Sequence, residues 1–192
     1  MRKIIVHEFI SLDGVIQAPG GDNEDTEGGF KYGGWTHAYW HDEIGARFFE
    51  TMKDADTLLL GRKTWQIHSV FNTMDDPFAN AMNEAKKVVV SRTLNSTDAW
   101  RNTSLIKENV VDEIRKLKEA QGKNILTDGS SELFKTLIEH SLIDEIQLHL
   151  YPVVLGSGKR LFPEGLHLDL ELINSKALPT GVVFQHYQVK AK

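Results

Sequence analysis

Three places along the chain bring small, hydroxylated and cationic residues to the end of an apolar run. Leu58-Leu59-Leu60 runs into Gly61-Arg62-Lys63-Thr64-Trp65, Val88-Val89-Val90 into Ser91-Arg92-Thr93, and Ile125-Leu126 into Thr127-Asp128-Gly129-Ser130-Ser131. Glycine lets a ligand approach the backbone closely, and a helix N-terminus offers unpaired N–H groups and the positive end of a dipole. Arg62, Thr64 and Arg92 add donors. In open α/β sheets ligands bind beyond the carboxyl ends of the strands. The expected chemistry is therefore recognition of several phosphates or of a dinucleotide. Taken singly, each segment reads first as an ordinary strand-to-helix turn, since such turns also favour Gly and Ser. Their recurrence after successive strands is what brings in the ligand reading.

Familiar phosphate motifs fail on inspection. Gly156-Ser157-Gly158 opens a Gly-x-Gly-x-x-Gly pattern, but Leu161 takes the place of its last glycine. Gly158-Lys159 has the end of a P-loop, yet Val153 stands where its first glycine belongs and Arg160 replaces Ser or Thr. His37 and His41 have the spacing of a helical zinc pair, but Ala38 occupies the Glu position of His-Glu-x-x-His, so no metal is expected. Asp22 to Glu27 reads as a solvated loop face without the spacing of a calcium loop. Proton donors are drawn from Glu8, Asp13, His41 and Asp42, with Asp13 and Asp42 as the catalytic candidates. Asp13 in Asp13-Gly14 reads first as a turn-forming residue. Lys159 and Arg160 either meet a substrate phosphate or fix the Gly156–Gly158 loop.

Composition narrows the frame. At 192 residues the chain suits one domain, 1–192, with a core that needs no staple. A hydrophobic fraction of 41% excludes disorder as the main state. The net charge of -5 supplies no positive field for a polyanion, so nucleic-acid binding is not expected. Cysteine is absent, which removes disulfides and thiolate chemistry and favours a reducing compartment. No apolar run approaches the ~20 residues of a membrane span, so a soluble, cytoplasmic protein is expected.

Periodicity supplies the elements that position these residues. Ile4–Ile10, Thr57–Leu60, Lys87–Val90 and Asn124–Thr127 read as strands. Helices are expected over Tyr39–Asp54, Pro77–Ala85 and Asn109–Gln121, the last capped by Asn109 and stopped by Gly122. A further helix is capped by Ser130 or Ser131. Residues 19–35 form a long glycine-rich loop, which Phe30, Tyr32 and Trp35 favour as a packed one. After Ser141 only strands follow, over Ile143–Leu155, Leu168–Leu178 and Val182–Lys190. Strand–helix alternation followed by strands gives an α/β fold with a mixed, mostly parallel sheet and antiparallel additions.

The ordered set of motifs resembles the dihydrofolate reductase-like superfamily. More closely, it looks like the stand-alone bacterial proteins related to the C-terminal reductase domain of the riboflavin-biosynthesis deaminase-reductase, RibD. The residues carrying this are Ser11-Leu12-Asp13-Gly14-Val15, Gly33-Gly34-Trp35, Leu60-Gly61-Arg62-Lys63-Thr64-Trp65, Val90-Ser91-Arg92-Thr93-Leu94, Gly129-Ser130-Ser131-Glu132-Leu133, Asp144-Glu145 and the run from Pro152 to Phe162. The resemblance implies a three-layer fold with flanking helices and an NADPH site. In such proteins Gly61, Arg62 and Thr64 would bind cofactor phosphate, Ser91 and Arg92 the adenosine 2′-phosphate, and Gly129, Ser130 and Ser131 the pyrophosphate. Backbone around Phe9 and Ile16 would hold the nicotinamide amide.

The implied activity is hydride transfer to a C=N or C=O carbon of a small pteridine-, pyrimidine- or sugar-derived substrate, of the 5-amino-6-(5-phosphoribosylamino)uracil reductase type. A homodimer is implied as well. Two departures stand out. Ser130 replaces the second glycine of the usual Gly-Gly turn, and the folate enzymes' substrate carboxylate, sixteen residues before the Gly-Arg turn, falls on Gly45. Alternatives are a non-catalytic nucleotide-binding or regulatory protein on the same scaffold, a flavin-using relative, and a genuine dihydrofolate reductase.

Overall fold

A computed structural model describes residues 1–190. The fold is mixed α/β, with eight strands that are mostly parallel and antiparallel at the C-terminal end. The chain groups into two compact units, residues 1–6 with 47–144, and residues 7–46 with the chain from 145 onward. Strand β1 (Ile4–Ser11) and helix α1 (Asp42–Lys53) contribute residues to both.

The first unit contains β2 (Ala55–Gly61), β3 (Lys86–Val90), β4 (Thr103–Ile106) and β5 (Asn124–Asp128), in the order β4-β3-β2-β5-β1. β3 and β5 lie parallel on either side of β2, and β4 lies parallel beside β3. Central parallel strands are covered on both faces, which explains why β2 reads as the unbroken apolar run Leu58-Leu59-Leu60, all fully buried. Four helices accompany these strands: α2 (Arg62–His68), α3 (Pro77–Glu84), α4 (Val110–Glu119) and α5 (Ser131–Glu139). Phe48, Leu58, Trp65, Met82, Trp100 and Leu126 make up much of the apolar core.

At its margin Arg2 is buried and donates to the Lys123 carbonyl (2.5 Å), to Thr57 Oγ1 (2.6 Å) and to Asp56. Lys118 Nζ in turn meets Asp144 Oδ2 (2.5 Å) and the Leu142 carbonyl (2.9 Å). These charges are paired or hydrogen-bonded, as buried charges must be.

The second unit contains β6 (Glu145–Tyr151), β7 (Leu170–Ala177) and β8 (Val183–Val189), in the order β1-β6-β8-β7. β8 is antiparallel to both neighbours. β7 lies at the end of the order; its register slips between Leu172 and Asn174, leaving Ile173 as an extra residue. The core of this unit gathers Val15, Ile44, Tyr151, Leu155 and Val182. The long loop is closed at its base by Gly34 N–H to the Ala18 carbonyl (2.9 Å) and Thr36 N–H to the Pro19 carbonyl (3.4 Å). Phe30 and Trp35 are buried as expected, and Tyr32, though 52% exposed, packs edge to face on the Phe30 ring at 5.7 Å.

Several boundaries differ from the sequence reading. The first helix begins at Asp42, because His37–Tyr39 form a separate 3-10 turn and Trp40 is extended. Asn109 precedes α4 in the left-handed region (φ 50°) and its side chain caps nothing; α4 ends at Glu119, short of Gly122. α2 and β4 were not anticipated. Among the described residues no helix is long and apolar enough to cross a membrane.

Lys87 on β3 is completely buried. Its ammonium donates to the Met82 (3.1 Å) and Asn83 (2.9 Å) carbonyls, in the last turn of α3, and lies 4.7 Å from the centre of a Trp100 ring. Helix C-terminal carbonyls lack intrahelical partners and form the negative dipole end, so a cation is favoured there. Among the described residues no carboxylate is hydrogen-bonded to it. Burial and the charge of Arg101 push its pKa down to about 8, against the weaker opposing pull of Glu84. An unfolded lysine keeps its proton to about 10.4. Between the two values the unfolded state therefore binds more protons than the folded state, and the contribution of this group to stability rises with pH. We expect the melting temperature of the wild type, relative to Lys87→Met, to shift in favour of the wild type from pH 8 to pH 10. A pH-independent difference would contradict this.

Candidate functional site

The three turns expected to recognise anions lie in the first unit. β3, β2 and β5 are adjacent and parallel, with Gly61 paired in register with Val90 and Leu58 with Leu126. Parallel neighbours end at the same edge. Ser91-Arg92, Gly61-Arg62 and Gly129-Ser130-Ser131 therefore leave the sheet side by side, at the place where such sheets bind ligands.

The turns after β2 and β5 are fitted to each other. A Cβ added to Gly61 would meet Ser130 Oγ at 2.4 Å and Ser130 Cβ at 2.7 Å, although the backbone there is ordinary extended chain (φ -73°). A Cβ on Gly129 would meet Thr64 Oγ1 at 3.0 Å, and Gly129 also takes φ 84°. Each glycine thus makes room first for a side chain of the opposite turn. Close approach to a ligand is not needed to explain either residue. Ser130 adopts φ 88°, a region L-residues rarely occupy. Its side chain accepts a bond from Leu133 N–H (3.3 Å), so Ser130 caps α5 and Ser131 is the first helical residue. The initial N–H groups of this nine-residue helix have no intrahelical acceptors.

Ser91 is buried, and its Oγ accepts from Thr93 N–H (3.2 Å) and Leu94 N–H (3.0 Å). That hydroxyl holds its own turn. Arg92 beside it is exposed. Arg62 is half-buried and donates to Gln66 Oε1 at 3.0 Å. Near the third turn Asp128 Oδ2 lies 3.9 Å from His68 Nδ1. Burial draws the imidazole pKa down, and the Asp128 charge opposes this. Nothing in the sequence marked that pair, since sixty residues separate its members.

The remaining candidates lie in the second unit. Asp13 accepts from Ser11 Oγ (2.7 Å), Leu155 N–H (3.1 Å) and Gly156 N–H (2.8 Å). Burial raises its pKa, but these bonds together outweigh burial and leave it below the ordinary carboxylate value. A carboxylate held in this way has no proton to give near neutrality, and the geometry is that of a residue tying two turns together. Asp42 is exposed as the first residue of α1. Gly45, one turn further on, bears no acid, and a Cβ there would meet the Trp40 indole at 3.7 Å. Phe9 is half-buried on β1. The Ile16 N–H is engaged by the Lys159 carbonyl (2.9 Å), so only its carbonyl side is open to a ligand amide. Among the described residues no group of three or more His, Asp or Glu side chains is placed to hold a metal ion.

Lys159 corrects the reading of the acidic run. Its ammonium meets Asp25 Oδ2 and Glu27 Oε2, each at 2.5 Å, so neither carboxylate is simply a solvated face. The buried Gln17 completes the tie: its amide donates to the Asp25 and Glu27 carbonyls (3.0 Å each) and its oxygen accepts from Lys159 N–H (3.0 Å). Trp35 Nε1 donates to the Gln17 carbonyl (2.8 Å). Gln17 carried no signal in the sequence, because a lone Gln is not a motif.

Two outcomes follow from these contacts. Gly61→Ala should destabilise by about 1–3 kcal/mol, the range for over-packing, and adding Ser130→Gly should recover most of the loss because it removes the atoms in collision. An unchanged melting temperature in the single variant would refute the close fit. Lys159→Met should speed tryptic cleavage after the exposed Lys31 several-fold, read by mass spectrometry. Equal rates would mean the loop does not depend on the ion pairs.

The sequence profile of the RibD C-terminal domain family matches residues 2–184. An uncharacterized protein of Bacillus subtilis (strain 168), YyaP, is 31% identical over 189 residues, covering 95% of this chain and 92% of the relative. A second uncharacterized protein of that organism, YwjB, is 29% identical over 172 residues, 85% of this chain and 84% of the relative. Among solved structures, a Shewanella sp. PV-4 protein whose name provisionally assigns it to riboflavin biosynthesis superposes with a TM-score of 0.77 at 25% identity, covering 98% of this chain and 99% of that one. Dihydrofolate reductase from Enterococcus faecalis, complexed with NADP(H), superposes with a TM-score of 0.62 at 17% identity, covering 98% and 97%. The latter likeness is one of fold. With the family profile covering nearly all of its length, the chain belongs to the RibD C-terminal domain family.

Proposed function

We propose that this protein is an NADPH-dependent reductase acting on a C=N or C=O carbon of a small pteridine-, pyrimidine- or sugar-derived substrate. The observation that carries the reading is the convergence of the Ser91-Arg92, Gly61-Arg62 and Gly129-Ser130-Ser131 turns at the carboxyl ends of the adjacent parallel strands β3, β2 and β5. The family's reductase character and the fold shared with an NADP(H)-complexed enzyme support it.

The residues present fit such a cofactor. The open N–H groups at the start of α5, with the Ser131 hydroxyl, suit a pyrophosphate. Arg62 and Thr64 are half-buried beside Gly61 and Gly129 and supply further donors. The Ser91 oxygen accepts from Thr93 and Leu94, which leaves its O–H to donate to a 2′-phosphate, while the exposed Arg92 supplies the charge. A cation at that point prefers NADPH to NADH, because only NADPH carries the extra dianion. When bound, the nicotinamide supplies the hydride, and the chain's part is to hold, orient and exclude water.

A proton must reach the substrate separately. Asp13 does not deliver it, since its hydrogen bonds keep it ionised. Glu8, His41, the exposed Asp42 and water are left as donors. Gly45 under the Trp40 indole argues against folate reduction, which uses an acid at that place in the resembling enzymes. A non-catalytic nucleotide-binding protein remains the second reading, favoured by the same missing acid.

We expect NADPH to raise the melting temperature and to enhance nicotinamide fluorescence on binding, with NADH much weaker. A ligand at a hundredfold excess over Kd stabilises the folded state by about 2.7 kcal/mol. Arg92→Ala should weaken NADPH about tenfold, the loss of one charge-assisted contact, and leave NADH unchanged. No response to either nucleotide would overturn the reading. Binding without consumption of NADPH by any acceptor would favour the second one.

A further inference from the structure

The core of the second unit contains a polar atom that nothing satisfies. Tyr151, at the end of β6, is fully buried, and its hydroxyl has no hydrogen-bond partner. A buried hydroxyl left without a partner is unfavourable, and well-ordered proteins rarely keep one without reason. Phenylalanine would fill the same space without that cost.

The surroundings of Tyr151 suit a flat ring. Phe9, Trp35 and Tyr39 each approach its ring edge to face, with centroid separations of 5.6, 5.2 and 6.1 Å. Trp35 is buried, but Phe9 and Tyr39 are half-exposed, so the cluster extends from the core toward solvent. Tyr39 ends the short 3-10 turn His37–Tyr39, and Trp40 after it is 53% exposed. Burial drives the Tyr151 pKa above its ordinary value, so the group remains a neutral O–H donor at physiological pH.

We propose that Tyr151 is a specificity residue whose hydroxyl donates a hydrogen bond to a ring carbonyl of a flat heterocyclic ligand held against Phe9 and Tyr39. This rests on the reductase reading above and assigns a residue to the recognition of its acceptor. Phe9 and Tyr39 are the half-exposed members of the cluster, so the ligand approaches Tyr151 from their side. A ring lacking an acceptor would leave the donor unpaired and gain only stacking, which is how buried polar groups discriminate between similar shapes.

The test uses lumazine, a flat, fluorescent heterocycle with two ring carbonyls, titrated against the full-length protein and followed by quenching of its fluorescence. Tyr151→Phe should weaken lumazine at least tenfold. It should leave the melting temperature of the free protein equal or higher, because the unsatisfied hydroxyl has gone, and leave NADPH affinity unchanged. Equal lumazine affinity in the two proteins, or no binding by the wild type, would overturn the assignment. A lower melting temperature in Tyr151→Phe would also overturn it, since the hydroxyl would then have a structural partner. Failure of the wild type to bind NADPH would sink the reductase reading instead, and the lumazine titration does not depend on that result.

Discussion

The absence of one methyl group at Gly61 determines how closely two turns can approach. Ser130 fills the space that a side chain at Gly61 would need, and Thr64 fills the corresponding space at Gly129. The two contacts are reciprocal, each turn supplying a glycine and a hydroxylated residue to the other. They set the spacing between the end of β2 and the start of α5, and thereby the separation of the donors attributed to the cofactor. Ser130 holds φ 88° to do so, a local strain offset by its cap on α5 and by its place against Gly61.

A second set of constraints governs the long loop. Charge pairs on Lys159, the buried amide of Gln17 and the Trp35 indole hold a segment that composition alone would leave loose. Asp13 ties residues 155 and 156 in the same unit. The acidic and amide groups of this unit are thus largely occupied in holding loops. The aromatic cluster around Tyr151 is different: it contains a donor that the fold itself does not use.

What could be read in the sequence follows from where each signal is written. Buried parallel strands are continuous apolar runs, so β2, β3 and β5 were legible, and with them the three turns that follow. β4 was not: it has four residues, none of them fully buried, and shows no alternation. α2 was hidden because Trp65 alone is buried along it, which leaves no helical stripe. Asn109 has the composition of a cap but a left-handed backbone, and only φ distinguishes the two. The role of Lys159 depends on contacts across more than a hundred residues, and Gln17 meets it across the same span, beyond the reach of local pattern. Asp13 was legible as a turn residue, and its bonds to residues 155 and 156 explain why a catalytic role does not suit it.

β7 pairs on one side only, with β8, and both of its faces are largely exposed, Leu172 and Ile173 included. An open, straight, apolar edge is a template on which other chains can add strands. The extra residue at Ile173 breaks the run of hydrogen-bonding groups and twists the strand locally, while Glu171 and Lys176 place charges along it. Lys176 is further held by Glu43 at 2.5 Å. The bulge thus interrupts the regular edge at the point where Leu172 and Ile173 are exposed, and an added strand would meet a broken register there.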